Sequence, residues 1–182
     1  MEDVAMPNVF LNEPHHIFSW NKLGNIKEGR EDLGENVPVL VYRLMEYTMN
    51  HVLAAEYGKE QADEMFRRAG FLAGSQFASN MLHLEADFNT FVAELQQVLK
   101  KLKIGILRIE EVEENGARII LTVAQDLDCS GLEPSNEVVC NYDEGFIAGI
   151  LETYTKVAYE VREVDCWSSG ARVCRFRCCA EN

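Results

Sequence analysis

The cysteines and one glutamate near the C-terminus carry the clearest chemical signal in the chain. Five of the six cysteines lie at or after Cys140, and three of them, Cys140, Cys166 and Cys174, accompany Glu163 in a Glu-x2-Cys-x7-Cys run with one distant cysteine. Three thiolates and a carboxylate make a closed four-donor set that suits zinc, which takes such ligands tetrahedrally and in structural sites keeps no position open. The set is softer than magnesium or calcium selects, and it needs no redox chemistry. The plainer reading is that these are buried thiols packing as small hydrophobes, and Cys129, Cys178 and Cys179 are read that way. Disulfides are not expected: the N-terminal stretch lacks the basic-then-apolar order of an export signal, and clustered thiols then point to the reducing cytoplasm.

These donors need elements that bring them together. Residues 159–164 alternate bulky and charged side chains, and 173–178 alternate again, a strand pattern that puts Cys174, Phe176 and Cys178 on one face. Between them, Trp167-Ser-Ser-Gly170-Ala is turn chemistry, with Gly170 free to take a positive φ. Such a hairpin brings Cys166 and Cys174 together across its loop, with Glu163 a few residues back along the first strand. Cys140 must arrive from the loop before a helix over 142–158. The donor set would therefore tie a helix start to a hairpin mouth.

Upstream the periodicity is helical. Residues 1–16 hold Pro7 and Pro14 without periodicity and read as an irregular arm, in which the adjacent His15 and His16 point apart and share no metal. Residues 17–20 suit a short strand. Asn36 and Pro38 suit a helix start, and Val37, Leu40, Val41, Leu44, Met45, Thr48 and Val52 recur at helical spacing until Gly58. A second helix over about 59–80 carries Gly70, Gly74 and Ala78 in one flat stripe. Each interior glycine costs about 1 kcal/mol against alanine, so the stripe admits either a close-packed helix or a ligand cavity. Asp87 caps a third helix bearing Phe88, Phe91, Val92, Leu95 and Leu99, and Lys100, Lys101 and Lys103 complement its dipole. From Ile104 the period becomes that of strands, 104–112 and 117–124, joined by an Asn-Gly turn. Helices, hairpin, helix, hairpin predict an α+β fold: N-terminal helices packed on an antiparallel sheet of about four strands, with a zinc-braced C-terminal hairpin, in a single domain over 1–182.

Gly145-Phe-Ile-Ala-Gly-Ile-Leu151, Glu163-Val-Asp-Cys166 and Gly170-Ala-Arg-Val-Cys174-Arg-Phe176 together resemble the 4-vinyl reductase domain family. So do Leu33-Gly-Glu-Asn-Val-Pro-Val-Leu-Val-Tyr-Arg-Leu44 and Ala62-Asp-Glu-Met-Phe-Arg-Arg-Ala-Gly70, and the likeness extends over residues 20–179. The resemblance implies a small-molecule-binding fold, shared with the sensor domains of phenol-responsive activators and with Golgi-tethering subunits. It also implies a structural zinc held by three Cys and one Glu, which falls on Cys140, Glu163, Cys166 and Cys174. The family's sensor domains pair, so a homodimer through a helical face is expected. The family includes a bacteriochlorophyll-pathway protein, which leaves a reductase or accessory role on a tetrapyrrole vinyl group as an alternative. The aromatic sensors hold a phenol hydroxyl with a histidine and a tryptophan; His51 and His83 are available on helices here, whereas Trp20 and Trp167 lie outside the expected place.

Composition narrows the function classes. A net charge of −13 repels nucleic-acid phosphates and anionic membranes, so neither is an expected partner. No dinucleotide fingerprint, phosphate loop or Ser-His-Asp pattern is evident, and a reductase must draw its electrons from a cofactor. Three classes are weighed: a cytoplasmic module binding or sensing an apolar or aromatic molecule and signalling to a separate partner, an enzyme, and an interaction scaffold. The first is preferred. Its ligand should sit between the helical layer and the sheet, where layers meet, lined by Phe66, Gly70, Phe77, Phe91 and Leu95 with His83 as a polar contact.

Overall fold

The computed structural model describes residues 18–113, 116–135 and 137–181. The irregular arm expected over 1–16, with His15 and His16, lies outside the described residues, as does the centre of the Asn-Gly turn. In place of the strand expected over 17–20, residues Trp20–Leu23 form a 3-10 turn. The glycine-spaced connection that follows holds a one-turn helix, α1 (Ile26–Gly29), whose first turn is capped by the Asn25 side chain. Then come α2 (Val39–Tyr57), α3 (Lys59–Met81) and α4 (Phe88–Lys101). Strands β1 (Ile106–Val112) and β2 (Arg118–Ala124), helix α5 (Asn141–Thr155), and strands β3 (Tyr159–Asp165) and β4 (Cys174–Ala180) complete the order. The architecture is α+β, five helices with one four-stranded antiparallel sheet in the order β1-β2-β4-β3. No helix among the described residues is long and apolar enough to cross a membrane.

Period-two burial orients the sheet. Leu107 of β1, Ile119, Leu121 and Val123 of β2, Phe176 and Cys178 of β4, and Tyr159 and Val161 of β3 all face the core. Phe91, Leu95 and Leu99 of α4 and Ile147, Ile150 and Leu151 of α5 meet them, in the one continuous core cluster of the described residues. The Asp87 carboxylate starts α4 by accepting the amides of Asn89 (3.1 Å) and Thr90 (3.2 Å), as the sequence leads one to expect of an N-cap.

The glycine stripes are consumed by helix packing. A Cβ on Gly70 or Gly74 would strike the backbone of Tyr142 and Phe146 in α5. One on Gly145 or Gly149 would strike the backbone of Arg67 and Phe71 in α3. Two reciprocal glycine pairs, each four residues apart, let α3 and α5 meet backbone to backbone. This contact fixes the N-terminus of α5, and with it Cys140, against the sheet.

Candidate functional site

Four cysteines from four separate segments converge at one end of the sheet. Cys140 is the residue just before α5, Cys166 follows β3, and Cys174 opens β4 opposite Val123 of β2. Strict alternation would put Glu163 and Cys166 on opposite faces, since they are an odd number of residues apart. A bulge at Val164, between the Glu163–Phe176 and Asp165–Arg175 pairs, absorbs one residue and returns Cys166 to the buried side. The 3-10 turn Trp167–Ser169 then reverses the chain, and Gly170 closes it at φ +98°. The fourth sulfur is Cys129, which was read from sequence as an ordinary packing residue. It sits in a turn where Asp126 Oδ1 accepts the amides of Asp128 (2.9 Å) and Cys129 (3.2 Å).

The donor atoms of Cys129, Cys140, Cys166 and Cys174 all lie within 4.8 Å of one another, and all four residues are fully buried. Cys140 Sγ is 3.8 Å from both Cys166 Sγ and Cys174 Sγ. A tetrahedral zinc with bonds of about 2.3 Å needs sulfur–sulfur edges of about 3.8 Å, so those two edges already have metal-site dimensions. The Cys129–Cys174 separation of 3.1 Å is shorter than such an edge. The three neighbouring sulfhydryls hold the Cys166 thiol far below its ordinary range, so the cluster favours a thiolate there.

Glu163 stands at the rim of this cluster. Its Oε2 accepts the Cys140 amide at 3.1 Å, and its Oε1 is buried with no hydrogen-bond partner among the described residues. Burial and the neighbouring Cys166 sulfur push its carboxyl up to about 8. A buried carboxylate oxygen without a partner is costly unless something positive meets it. The soft donors and this orphaned oxygen both fit a metal ion. Of the residues expected to bind metal, Cys140, Cys166 and Cys174 converge and Glu163 touches them, while Cys129 adds a fifth donor. Spacing gave no sign of Cys129; the only local cue is Asp126, which suits an Asx turn.

Glu144 was not singled out from sequence, yet it locks the neighbourhood. Buried on α5, it accepts from Arg67 Nε at 2.6 Å, from Arg162 at 3.4 Å and from the Glu163 amide at 2.8 Å. It thereby joins α3, α5 and β3 immediately behind the metal donors.

An apolar cavity adjoins the cluster between α4, α5 and the sheet. Its walls include Phe88, Phe91 and Leu95 from α4, Ile147 and Ile150 from α5, and Leu107, Ile119 and Leu121 from the sheet, with Asp126 and Asp143 at one end. The void is about 40 Å³, well under the roughly 150 Å³ known to take a benzene ring. A second, open depression of about 190 Å³ lies between α2 and α3, lined by Met45, Met49, Leu53, Met65, Phe66 and Ala69. The six residues expected to line one pocket are thus distributed over several places. Phe91 and Leu95 line the closed cavity. Phe77 is buried with its ring 5.2 Å from that of Phe146, whose side borders the same cavity. Gly70 is occupied by the α3–α5 contact, and Phe66 faces the α2–α3 depression. His83 is 86% exposed in its side chain and pairs with Glu94 at 2.6 Å.

Residues 119–179, from β2 through β4, match the V4R domain. An uncharacterized protein of Methanocaldococcus jannaschii is 31% identical over 146 residues, which cover 80% of each chain. The chain belongs to the V4R family. Two solved structures of other proteins share the V4R fold seen here at low sequence identity. The phenol-responsive sensory domain of the transcription activator PoxR, solved with phenol, matches with a TM-score of 0.61 and 15% identity over 81% of this chain and 78% of that one. A trafficking protein particle complex subunit 3 from Naegleria fowleri, covalently bound to palmitic acid, matches with a TM-score of 0.60 and 12% identity over 80% of this chain and 98% of that one.

Proposed function

We propose that this chain is a cytoplasmic binding domain for a small apolar or aromatic molecule, braced by a structural zinc. The carrying observation is the cavity between α4, α5 and the sheet, whose lining is apolar apart from Asp126 and Asp143. Its position where the helical layer meets the sheet is where small-molecule sites form. Two proteins of the same fold, one solved with phenol and one with palmitic acid, support an apolar occupant. At about 40 Å³ the cavity is smaller than a benzene ring needs, so in this reading a ring enters only as α4 moves off the sheet. Phe88, Phe91, Val92 and Leu95 all project from that one helix into the cavity, and its displacement widens every part of the space together.

Zinc in this reading is held by Cys140, Cys166 and Cys174, with Glu163 or Cys129 completing the tetrahedron. Its role is to fix the start of α5 to the β3–β4 mouth, one wall away from the ligand. The chain pairs as a homodimer through α2, which has no buried residue among its nineteen. Leu40 and Leu44 there are 74% and 63% exposed, and a second copy is the simplest cover for them.

A thermal-shift screen of phenol, alkylbenzenes and fatty acids tests the binding function. A ligand specific for the folded state at a hundredfold excess over its dissociation constant stabilises by about 2.7 kcal/mol. The expected result is at least one stabiliser whose effect disappears in Leu95→Trp, which fills the cavity, and survives in Met49→Trp, which fills the α2–α3 depression. If no compound stabilises the protein, the interaction-scaffold reading replaces this one.

A further inference from the structure

Beside Cys140 lies a second buried polar group, made of oxygen. Donor atoms of Asp126, Cys140 and Asp143 lie within 4.8 Å of one another. Asp128 shares its turn with Asp126, and the Tyr42 hydroxyl of α2 reaches it at 2.9 Å, one helical turn before Glu46, whose carboxyl burial and the Asp128 charge push up. Four carboxyl groups from three segments are therefore neighbours, and Asp126 and Asp143 are the two whose donor atoms also lie within 4.8 Å of that of Cys140. Asp126 and Asp128 are 3% and 4% exposed.

Much of this acid has no protein donor. Oxygens Glu46 Oε2, Asp128 Oδ2 and Asp143 Oδ2 are buried without a hydrogen-bond partner among the described residues. The other oxygen of Asp128 receives the Tyr42 hydroxyl at 2.9 Å, and that of Asp126 receives two amides, which hold these side chains in place. Burial raises the Glu46 and Asp128 carboxyls, and the neighbouring cation, Arg43, lowers them through its charge but makes no salt bridge to them among the described residues. Arg43 instead gives its guanidinium hydrogens to the carbonyls of Leu127 (2.7 Å) and Ser130 (2.9 Å), anchoring the turn that carries Asp126, Asp128 and Cys129. Buried carboxylates are paired with cations, hydrogen-bonded or protonated.

We propose that Glu46, Asp126, Asp128 and Asp143 form a second metal site, for an oxygen-preferring divalent cation, contiguous with the sulfur cluster at Cys140. Carboxylate oxygens select magnesium, calcium or manganese, whereas the adjoining thiolates select zinc. The chain would thus sort two cations by donor softness across a single residue. The site draws on α2, the 126–130 turn and the start of α5, so an ion there clamps α2 to the body of the protein. An organic ammonium group is the weaker candidate, because the orphaned oxygens are buried from solvent. This site stands independently of the ligand reading above.

Mn2+ is the probe, because it prefers oxygen donors and its free form is counted by electron paramagnetic resonance. Titration of the zinc-loaded full chain should show a single bound Mn2+ per chain with zinc content unchanged, and a higher melting temperature. Asp128→Asn and Asp143→Asn should weaken Mn2+ binding by at least about tenfold while keeping their zinc. Three results would overturn the site. They are no Mn2+ bound up to about 1 mM, the range of weak oxygen sites; Mn2+ bound only as zinc is lost; or stabilisation by alkylammonium ions and not by Mn2+. The wild-type titration decides the matter even if a variant fails to fold, because the first outcome means that the carboxyls are neutralised by shared protons.

Discussion

Helix α3 has a partner on each side, and the two are held in opposite ways. Toward α5, Gly70 and Gly74 interleave with Gly145 and Gly149 until backbone meets backbone. Toward α2, the contact is made by half-exposed side chains around an open depression. What fixes α2 is polar: Arg43 to the carbonyls of the 126–130 turn, Tyr42 to the Asp128 carboxylate, and Tyr47 to the Asp128 carbonyl at 3.1 Å. Shape complementarity tolerates neither motion nor substitution, whereas a few hydrogen bonds and buried charges are sensitive to pH and ions. One side of α3 is therefore built to stay, and the other to respond.

The largest expected effect comes from removing what pins the start of α5. Binding free energy at a structural zinc site is folding free energy, on the order of 10 kcal/mol in small zinc domains. Cys166→Ser, or prolonged chelation, should abolish cooperative unfolding, and amide exchange should rise first in α5, β3 and β4. A variant that loses its zinc and still melts at the parent temperature would remove the brace from the account.

Next is a pair of neighbouring substitutions on α3 that separates its two sides. Gly70→Leu forces a side chain into the α5 backbone and should cost about 3 kcal/mol or more, at the upper end of overpacking. Ala69→Leu places the same side chain toward the α2–α3 depression and should cost under about 1 kcal/mol. Equal denaturation midpoints for the two would contradict the asymmetry.

A smaller effect should appear with pH. Burial, then the Asp128 charge, pushes the Glu46 carboxyl from 4.5 up to about 8. A raised carboxyl binds its proton more tightly in the folded state, so its contribution is full below pH 4.5 and is lost as pH rises through about 8. In buffer without added divalent cations the melting temperature should fall across that window, and Glu46→Gln should flatten the fall. A rise with pH over the same window would reverse the sign of this argument.

The smallest effect on folding belongs to the outer face of α2. Leu40→Glu with Leu44→Glu should change monomer stability by no more than about 0.5 kcal/mol per site, as surface changes do. The same pair should halve the mass measured by light scattering. An unchanged mass would move the dimer interface elsewhere.

The sequence discloses these features unevenly, for physical reasons. Element types were legible because the hydrophobic period shifts cleanly from helical to alternating at Ile104 and again around α5. Glycines four apart on α3 and α5 announced a close approach, although one helix alone does not say whether a neighbour or a ligand takes the space. Cys140, Cys166 and Cys174 were legible because two of them flank a turn. Cys129 was not, since it reaches the cluster only after the 126–130 turn folds back between β2 and α5. The carboxylate group was equally hidden, with Glu46 drawn from α2 some eighty residues before its partners. His83 reads as a helical residue available as a polar contact, but the helix ends at Met81 and leaves it on the surface beside Glu94.

The central claim is that an apolar molecule enters between α4 and the sheet. The most direct measurement is solution NMR on protein with isotope-labelled Ile, Leu and Val methyl groups, looking for nuclear Overhauser contacts from a stabilising aromatic compound. The account predicts contacts to Leu95, Leu121, Ile147 and Ile150, together with shifts along α4 as it moves outward. Contacts confined to Leu53 in the α2–α3 depression, or none to any core methyl, would contradict it.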